Sequence, residues 1–593
     1  MRTHAEYPLH VLRDYALLAD GERGILVGPR GEHAWMCAPA WDSEAVFGTL
    51  IGGGGLYAVT PVETPFVWGG YYGDATLIWH NRWVTGSRII ECREALRMPA
   101  DPHTAVVLRR IEAIDGDARV RALLDPRAGF GRHRLSRLRR RDGVWAGRCG
   151  ELYVRWSGAP DAVEFDGGGL EALIDVPEGG HHDLVLEISD QPMHGDPTSP
   201  GTLWQSTEQA WSEAVPPIEG TVADRDARHA YAVLCGLTSR QGGMVAGATT
   251  CLPERAEAGR NYDYRFAWIR DQSYAGQAVA ALGPHAALLT GAVDFVADRL
   301  AEDGPRLRPA YTVRGGPVPA EAPVDLPGYP GAAPVTGNNA HGQFQLDAFG
   351  EALLLFAAAA GHDRLDARHW KAVEAAANAI SERGAEPDSG IWELDEQRWT
   401  HSRLICVAGL RAVSRYAPRG QAARWSTLAD AMLAEADADC LHSSGRWQRS
   451  PKDERIDAAL VLPAVRGGVP ADDPRTRATL EAVLGELSQD EFVYRFRLGG
   501  RPLGEGEGAF LLCGFATSLA LHQQGDLVRA SRWFERSRSA CGSPGLLAEE
   551  YDVEQRQLRG NLPQAFVHAV LLEAAARLAR PPSAMIGGTD EEH

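Results

Sequence analysis

The chain has 593 residues, well beyond the ~250–300 at which a single hydrophobic core stops growing, so at least two domains are expected. Its 44% hydrophobic and 23% charged residues are those of an ordinary globular protein. A formal net charge of -19 argues against a nucleic-acid or anionic-membrane partner, because phosphate groups call for basic faces.

The first residues, MRTHAEYPLHVLRDY, lack the apolar stretch of a secretory signal, and no window approaches the ~18 continuous apolar residues of a membrane span. Up to about residue 215 the chain is rich in Gly, Trp and Val, with short alternating runs such as Arg119–Leu124, Glu151–Trp156 and Asp183–Ile188. Runs of period two separated by Gly turns predict an antiparallel β-sandwich over residues 1–215. The segment Ile51-Gly-Gly-Gly-Gly-Leu56 lacks the Lys-Ser/Thr of a phosphate loop and is read as a tight turn. The basic run Arg134–Arg141 is read as a solvated strand edge or loop. Residues 216–240 are expected to form a linker and a first helix.

From there apolar residues recur three and four apart, as in Trp370–Ile380, Thr476–Ser488, Ala509–His522 and Pro563–Ala579. About a dozen such segments, joined by long Gly/Pro/Trp loops, predict a closed helical toroid, the (α/α)6 barrel, over residues 241–580. The fold class is therefore multidomain β + α, with residues 581–593 expected to be a disordered tail. The nine cysteines are odd in number and form no CxxC pair, so neither a disulfide framework nor a zinc site is expected. Free thiols and the lack of a signal predict a cytoplasmic protein.

Three clusters in the helical half concentrate polar and aromatic residues on loops: Asn261–Asp271 (NYDYRFAWIRD), Asp388–His401 (DSGIWELDEQRWTH) and Gly545–Asp552 (GLLAEEYD). Singly each has a plain reading, a solvated Glu or a Glu-Glu pair complementing a helix dipole. Together they hold what glycosidic cleavage needs. One carboxyl group protonates the leaving oxygen, and a second activates water or attacks the sugar. Aromatic faces suit the C–H face of a pyranose, and an Arg–Asp pair can grip hydroxyl groups directionally.

These clusters resemble those of the glucoamylase family, glycoside hydrolase family 15, in its bacterial form with an N-terminal β-sandwich. The resemblance runs through seven ordered motifs: Ile25–Pro39, Thr249–Glu254, Asn261–Asp271, Gly337–Glu351, Gly390–Ser402, Gly506–Cys513 and Gly545–Asp552. It implies that Glu393 is the general acid, Glu549 the general base and Tyr264 a holder of the attacking water. It further implies that Arg270 and Asp271 bind the terminal glucose, with Trp268 and Trp392 lining the subsites and Glu550 as a further substrate-binding residue. Tyr262, Phe266-Ala267, Gln272, Gly514-Phe515-Ala516 and the loop after Glu393 depart from the family pattern, which places the substrate's identity in question.

The implied activity is inverting, exo-acting hydrolysis that releases β-glucose from small α-glucosides. Trehalase is the alternative, and an inactive carbohydrate-binding or regulatory relative is a third class. No metal and no cofactor is expected. The only partner expected is the small α-glucoside or oligosaccharide substrate, with no nucleic acid and no membrane, and assembly into a homo-oligomer is left open. The sandwich is expected to shape one side of the pocket rim. The two carboxyl groups are expected roughly 6.5–9.5 Å apart, with room for one water.

Overall fold

The computed structural model describes residues 6–165, 167–254, 260–283 and 287–582. Of the tail expected over residues 581–593, the part from 583 onward lies outside the described residues.

Among these, the first 190 residues form two antiparallel sheets of eight and nine strands, with Trp79, Trp83, Trp156, Ile111 and Leu186 in the core between them. In the first sheet β1 (Ala16–Ala19), β2 (Gly24–Val27) and β3 (Glu32–Cys37) pair in order. Their side chains alternate between two interiors. Ala16, Leu18, Ile25, Val27 and Met36 join the core between the sheets, whereas Leu17, Ala19, Leu26, Trp35 and Cys37 join the core of the helical half. A sheet covered on both faces reads as continuous apolar sequence, which is why ALLA and GILV show no polar alternation. The runs read as strands are strands, at Ala118–Asp125, Leu152–Ser157 and His181–Ser189, and the basic run lies on the exposed strand His133–Arg141.

The helix Pro200–Ala214 packs on the nine-stranded sheet, where Trp204 lies under the guanidinium of Arg93 and donates to Asp183. The helical segments that follow form two concentric rings among the described residues. The inner ring is Ile269–Leu282, Asp347–Ala360, Thr400–Ser414, the short turns Ala458–Val461 and Leu462–Val465, Leu511–Gln523 and Ala565–Leu578, the last packing back on the first. Outside them run Asp224–Leu237, Ala287–Asp303, Ala367–Arg383, Arg419–Asp439, Pro474–Glu486 and Leu527–Arg538. Local chemistry sets their starts. Asp366 and His369 close a capping box, and Asp473 caps the helix that opens at Pro474.

Two inner helices touch backbone to backbone at Gly350 and Gly409, where a Cβ on Gly409 would stand 2.4 Å from the Gly350 carbonyl oxygen. The Gly409→Ala variant is therefore expected to lose about 1–3 kcal/mol of stability, as in other overpacked cores. Urea unfolding of the variant checks this, and an unchanged midpoint would contradict the close approach.

Candidate active site

The inner helices start at one end of the ring, and a pocket of about 250 Å³ opens there among the loops that precede them. Its lining runs from Ala246 to Phe566, all within the helical half. The expectation that the sandwich shapes the rim is thus corrected: that domain holds the loops from behind. The turn at Gly52 packs on Pro327, Gly328 N–H donates to the Ile51 carbonyl at 2.9 Å, and Trp35 Nε1 donates to the Ala248 carbonyl at 2.9 Å. A side chain at Gly52, whose φ is +76°, would strike the Pro327 ring.

Seven of the eight residues singled out from sequence line this pocket: Glu393, Glu549, Tyr264, Trp268, Arg270, Asp271 and Trp392. The eighth, Glu550, does not. It is fully buried behind the wall on the strand Glu550–Asp552, accepting from Gly508 N–H at 2.7 Å and lying 3.7 Å from Arg495. Expected to bind substrate, it instead holds the wall together. The Glu-Glu pair opens no helix, so the helix-dipole reading of it falls as well.

Glu549 is 5% exposed and receives the Tyr264 hydroxyl on both oxygens, at 3.1 and 2.9 Å. Burial pushes its pKa up to about 8, with neighbouring Glu254 acting in the same direction and Arg495 and the Tyr264 bond opposing. Glu393 lies on the loop between two helices with φ of +55°, a left-handed conformation that costs a non-glycine residue energy. Its side chain is 26% exposed, and Oε1 accepts from Trp268 Nε1 at 2.7 Å and Arg270 Nη2 at 3.3 Å. Two N–H donors thus hold this carboxyl at the pocket wall. Adjacent Trp392 turns its own N–H to Asp457 at 2.8 Å and packs edge-on against Phe510. Between the two carboxylates stand the rings of Tyr264 and Trp268, edge to face at 5.7 Å.

Arg270 and Asp271 form the first turn of the helix Ile269–Leu282, their nearest approach being 4.0 Å. Arg270 is held by Gln345 at 3.0 Å and Glu393. Asp271 is 2% exposed with no protein donor on Oδ1, and burial pushes its pKa up to about 7 against the pull of Arg270. A buried carboxyl oxygen of this kind is suited to accept a hydroxyl of a bound ligand.

One wall went unassigned from sequence. Arg260 pairs with Glu254 and Glu507, each at 3.2 Å, and Arg495 pairs with Glu507 at 2.6 Å and lies over Phe510. Glu254 and Glu507 fall inside motifs noted for resemblance, but Arg260 and Arg495 carry no local signal, since only the fold brings them together. Asn338, Asn339, Gln343 and Glu321 also line the pocket. Of the departures from the family pattern, only Tyr262 and Leu394 line it. Phe515 packs on Phe534, Gly514 lies against Ser537 where a Cβ would come within 2.2 Å of its hydroxyl, and Gln272 accepts from Met244 N–H. No group of His, Cys, Asp and Glu suited to a metal ion occurs among the described residues.

Residues 227–576 match the family model of glycosyl hydrolases family 15, and residues 8–193 match that of the trehalase-like N-terminal region. A trehalase of Mycobacterium tuberculosis is 30% identical, the alignment covering 97% of this chain and 90% of the relative. A trehalase of Mycolicibacterium smegmatis is 29% identical over 97% and 92%, and one of Thermoplasma volcanium 25% over 95% and 93%. Among solved structures, a bacterial glucoamylase complexed with acarbose superposes with a TM-score of 0.71 at 13% identity, covering 96% of this chain and 94% of its own. That likeness establishes the fold, a β-sandwich followed by an (α/α)6 barrel.

Replacing Glu254 by Gln removes a carboxylate that raises the Glu549 pKa. The Glu549 titration, followed by ¹³C NMR of labelled glutamate, is expected to move below its midpoint near 8. An unmoved midpoint would show that Glu254 has no such influence.

Proposed function

Because the chain belongs to glycosyl hydrolase family 15 and is a glycoside hydrolase, we propose that Glu393 and Glu549 act as acid and base in an inverting hydrolysis of small α-glucosides, with α,α-trehalose as the substrate. The observation that carries this is the unlike setting of two carboxyl groups in one pocket, Glu549 deep under the Tyr264 hydroxyl and Glu393 a quarter exposed.

The terminal glucose enters first, its hydroxyl groups meeting Arg270 and Asp271. The leaving sugar then lies toward the mouth, beside the more exposed carboxyl. Glu393 gives its proton to the glycosidic oxygen as the bond to the anomeric carbon breaks. A water held by Glu549 and Tyr264 attacks that carbon from the opposite face and passes a proton to Glu549. A base whose conjugate acid titrates near the working pH suits this transfer, and Glu549 has that property.

Trehalose is favoured by the trehalases aligned along almost the whole chain. A wall of Glu254, Arg260 and Arg495 also suits a second sugar as polar as the first. The nine cysteines are unpaired, which supports a reducing, cytoplasmic setting, and no described helix is long and apolar enough to cross a membrane.

Glucose release from trehalose, maltose, isomaltose, kojibiose, nigerose and dextrin tests the substrate. Trehalose is expected to be hydrolysed fastest, and faster release from any of the other five would overturn that choice of substrate. Proton NMR of the first products tests the mechanism. Inversion yields one β-glucose and one α-glucose from each trehalose, whereas retention yields α-glucose alone.

The pH profile has a definite sign. The base must be ionised, and its pKa is raised to about 8, so kcat/KM of the free enzyme should fall as pH drops through that region. An acid limb near pH 4 would contradict the assignment of Glu549.

A further inference from the structure

Tyr264 stands between two residues that bond to each other. Arg265 Nε and Nη2 donate to the two oxygens of Asp263 at 2.8 and 2.7 Å, and the Arg265 backbone N–H adds a third bond to Asp263 at 3.2 Å. Both are buried, Asp263 completely and Arg265 to 2% exposure. The remaining amino group of Arg265 leaves the helical half altogether. Nη1 donates to the carbonyls of Ser43 at 2.7 Å and Trp41 at 3.2 Å and to Cys37 Sγ at 3.2 Å, all in the β-sandwich at and after the end of β3. Asp263 extends the same network toward the pocket. Its Oδ2 accepts from Gly337 N–H at 3.0 Å and its carbonyl from Asn338 Nδ2 at 3.2 Å, Asn338 being a lining residue. The Tyr264 carbonyl is held by Gly247 N–H at 2.9 Å.

We propose that Arg265 is a positioning residue through which the β-sandwich fixes Tyr264, and so the orientation of Glu549, for attack by water. The inference rests on the reading of Tyr264 and Glu549 given above, and it assigns the N-terminal domain a part in catalysis although none of that domain reaches the pocket. The physical ground is the fork of the guanidinium, which can meet a carboxylate with two N–H groups and turn others to backbone carbonyls at once. A lysine keeps the charge but offers one point of attachment. With the segment loosened, the Tyr264 hydroxyl, anchored 2.9 Å from Glu549, would shift on the scale of an ångström, a displacement that can cost on the order of 10²-fold in rate.

The test is a set of double-mutant cycles on the full chain with trehalose. Arg265→Lys and Asp263→Asn are each expected to lower kcat by about 10- to 100-fold with KM little changed. Cys37→Ala, which removes one of three acceptors and leaves the ion pair, is expected to lower it several-fold. In a Tyr264→Phe background, itself impaired, none of the three should lower kcat further, because they act through the hydroxyl already removed. A merely structural role would multiply the losses in both backgrounds, and that result overturns the proposal. Unchanged kcat in both Arg265→Lys and Cys37→Ala overturns it too. Where Arg265→Lys fails to fold, Cys37→Ala in the two backgrounds decides. If Tyr264→Phe alone retains full kcat, the reading of Tyr264 falls and this proposal with it; if it is impaired while the losses multiply, only the proposal falls.

Discussion

Four buried carboxyl groups on one wall set the terms for the rest of the site. Glu254, Glu507, Glu549 and Glu550 are each at most 5% exposed, and two guanidinium groups, Arg260 and Arg495, stand among them. Four potential negative charges against two positive ones cannot all be ionised cheaply in a poorly hydrated place. The excess favours proton uptake: the pKa values of Glu254, Glu549 and Glu550 are all raised, burial being the first cause in each. Glu549 alone of these is also a pocket residue bonded to Tyr264. Its proton affinity is therefore a property of the whole wall, and a change at Glu254 or Arg495 reaches it through charge, without removing its bond to Tyr264.

The fold supplies the other half of the balance. The lining residues Trp268, Arg270, Asp271, Phe510 and Gln564 all fall at or next to the starts of inner helices. Helix starts present unpaired N–H groups and the positive ends of helix dipoles, a setting that tolerates carboxylates. A ring whose inner helices all begin at one end gathers that advantage at one mouth. It also frees the connecting loops to carry chemistry while the packed rings carry stability.

Much of this was legible in the sequence, and the exceptions have physical causes. Helical periodicity located segments such as Pro474–Glu486 and Ala565–Leu578 to within a few residues, because one face of each meets a packed neighbour. Motif-borne residues, from Tyr264 to Glu549, were legible because each cluster is local. Arg260 and Arg495 were not, since they meet across 235 positions of chain (495 − 260) and share no pattern. Glu550 was misread for the opposite reason. Successive strand residues point to opposite sides, so a neighbour of a pocket carboxyl is sent behind the wall. The expected rim role of the sandwich failed because its first sheet spends its second face on the barrel core and its turns on the backs of loops.

The unlike settings of the two pocket carboxyls bear on how their roles are divided. Glu549 is fixed from several sides, by Tyr264, by the short sheet that carries its neighbour Glu550 and by the charged wall. Glu393 is fixed by strain and two donors. Its left-handed backbone is held where Glu393 N–H meets the Gly390 carbonyl at 3.2 Å and Leu394 N–H the Ser389 carbonyl at 2.9 Å, with Gly390 itself at φ +64° against Trp399. Such a conformation persists only when its surroundings over-determine it, and here it aims the side chain at the donors of Trp268 and Arg270. Arg270 also lies beside Asp271 and Asp347, so a sugar hydroxyl that engages Asp271 enters the same charge network that bears on Glu393. On the proposed roles, occupation of the inner end of the pocket would be coupled, through one guanidinium, to the carboxyl that protonates the leaving group.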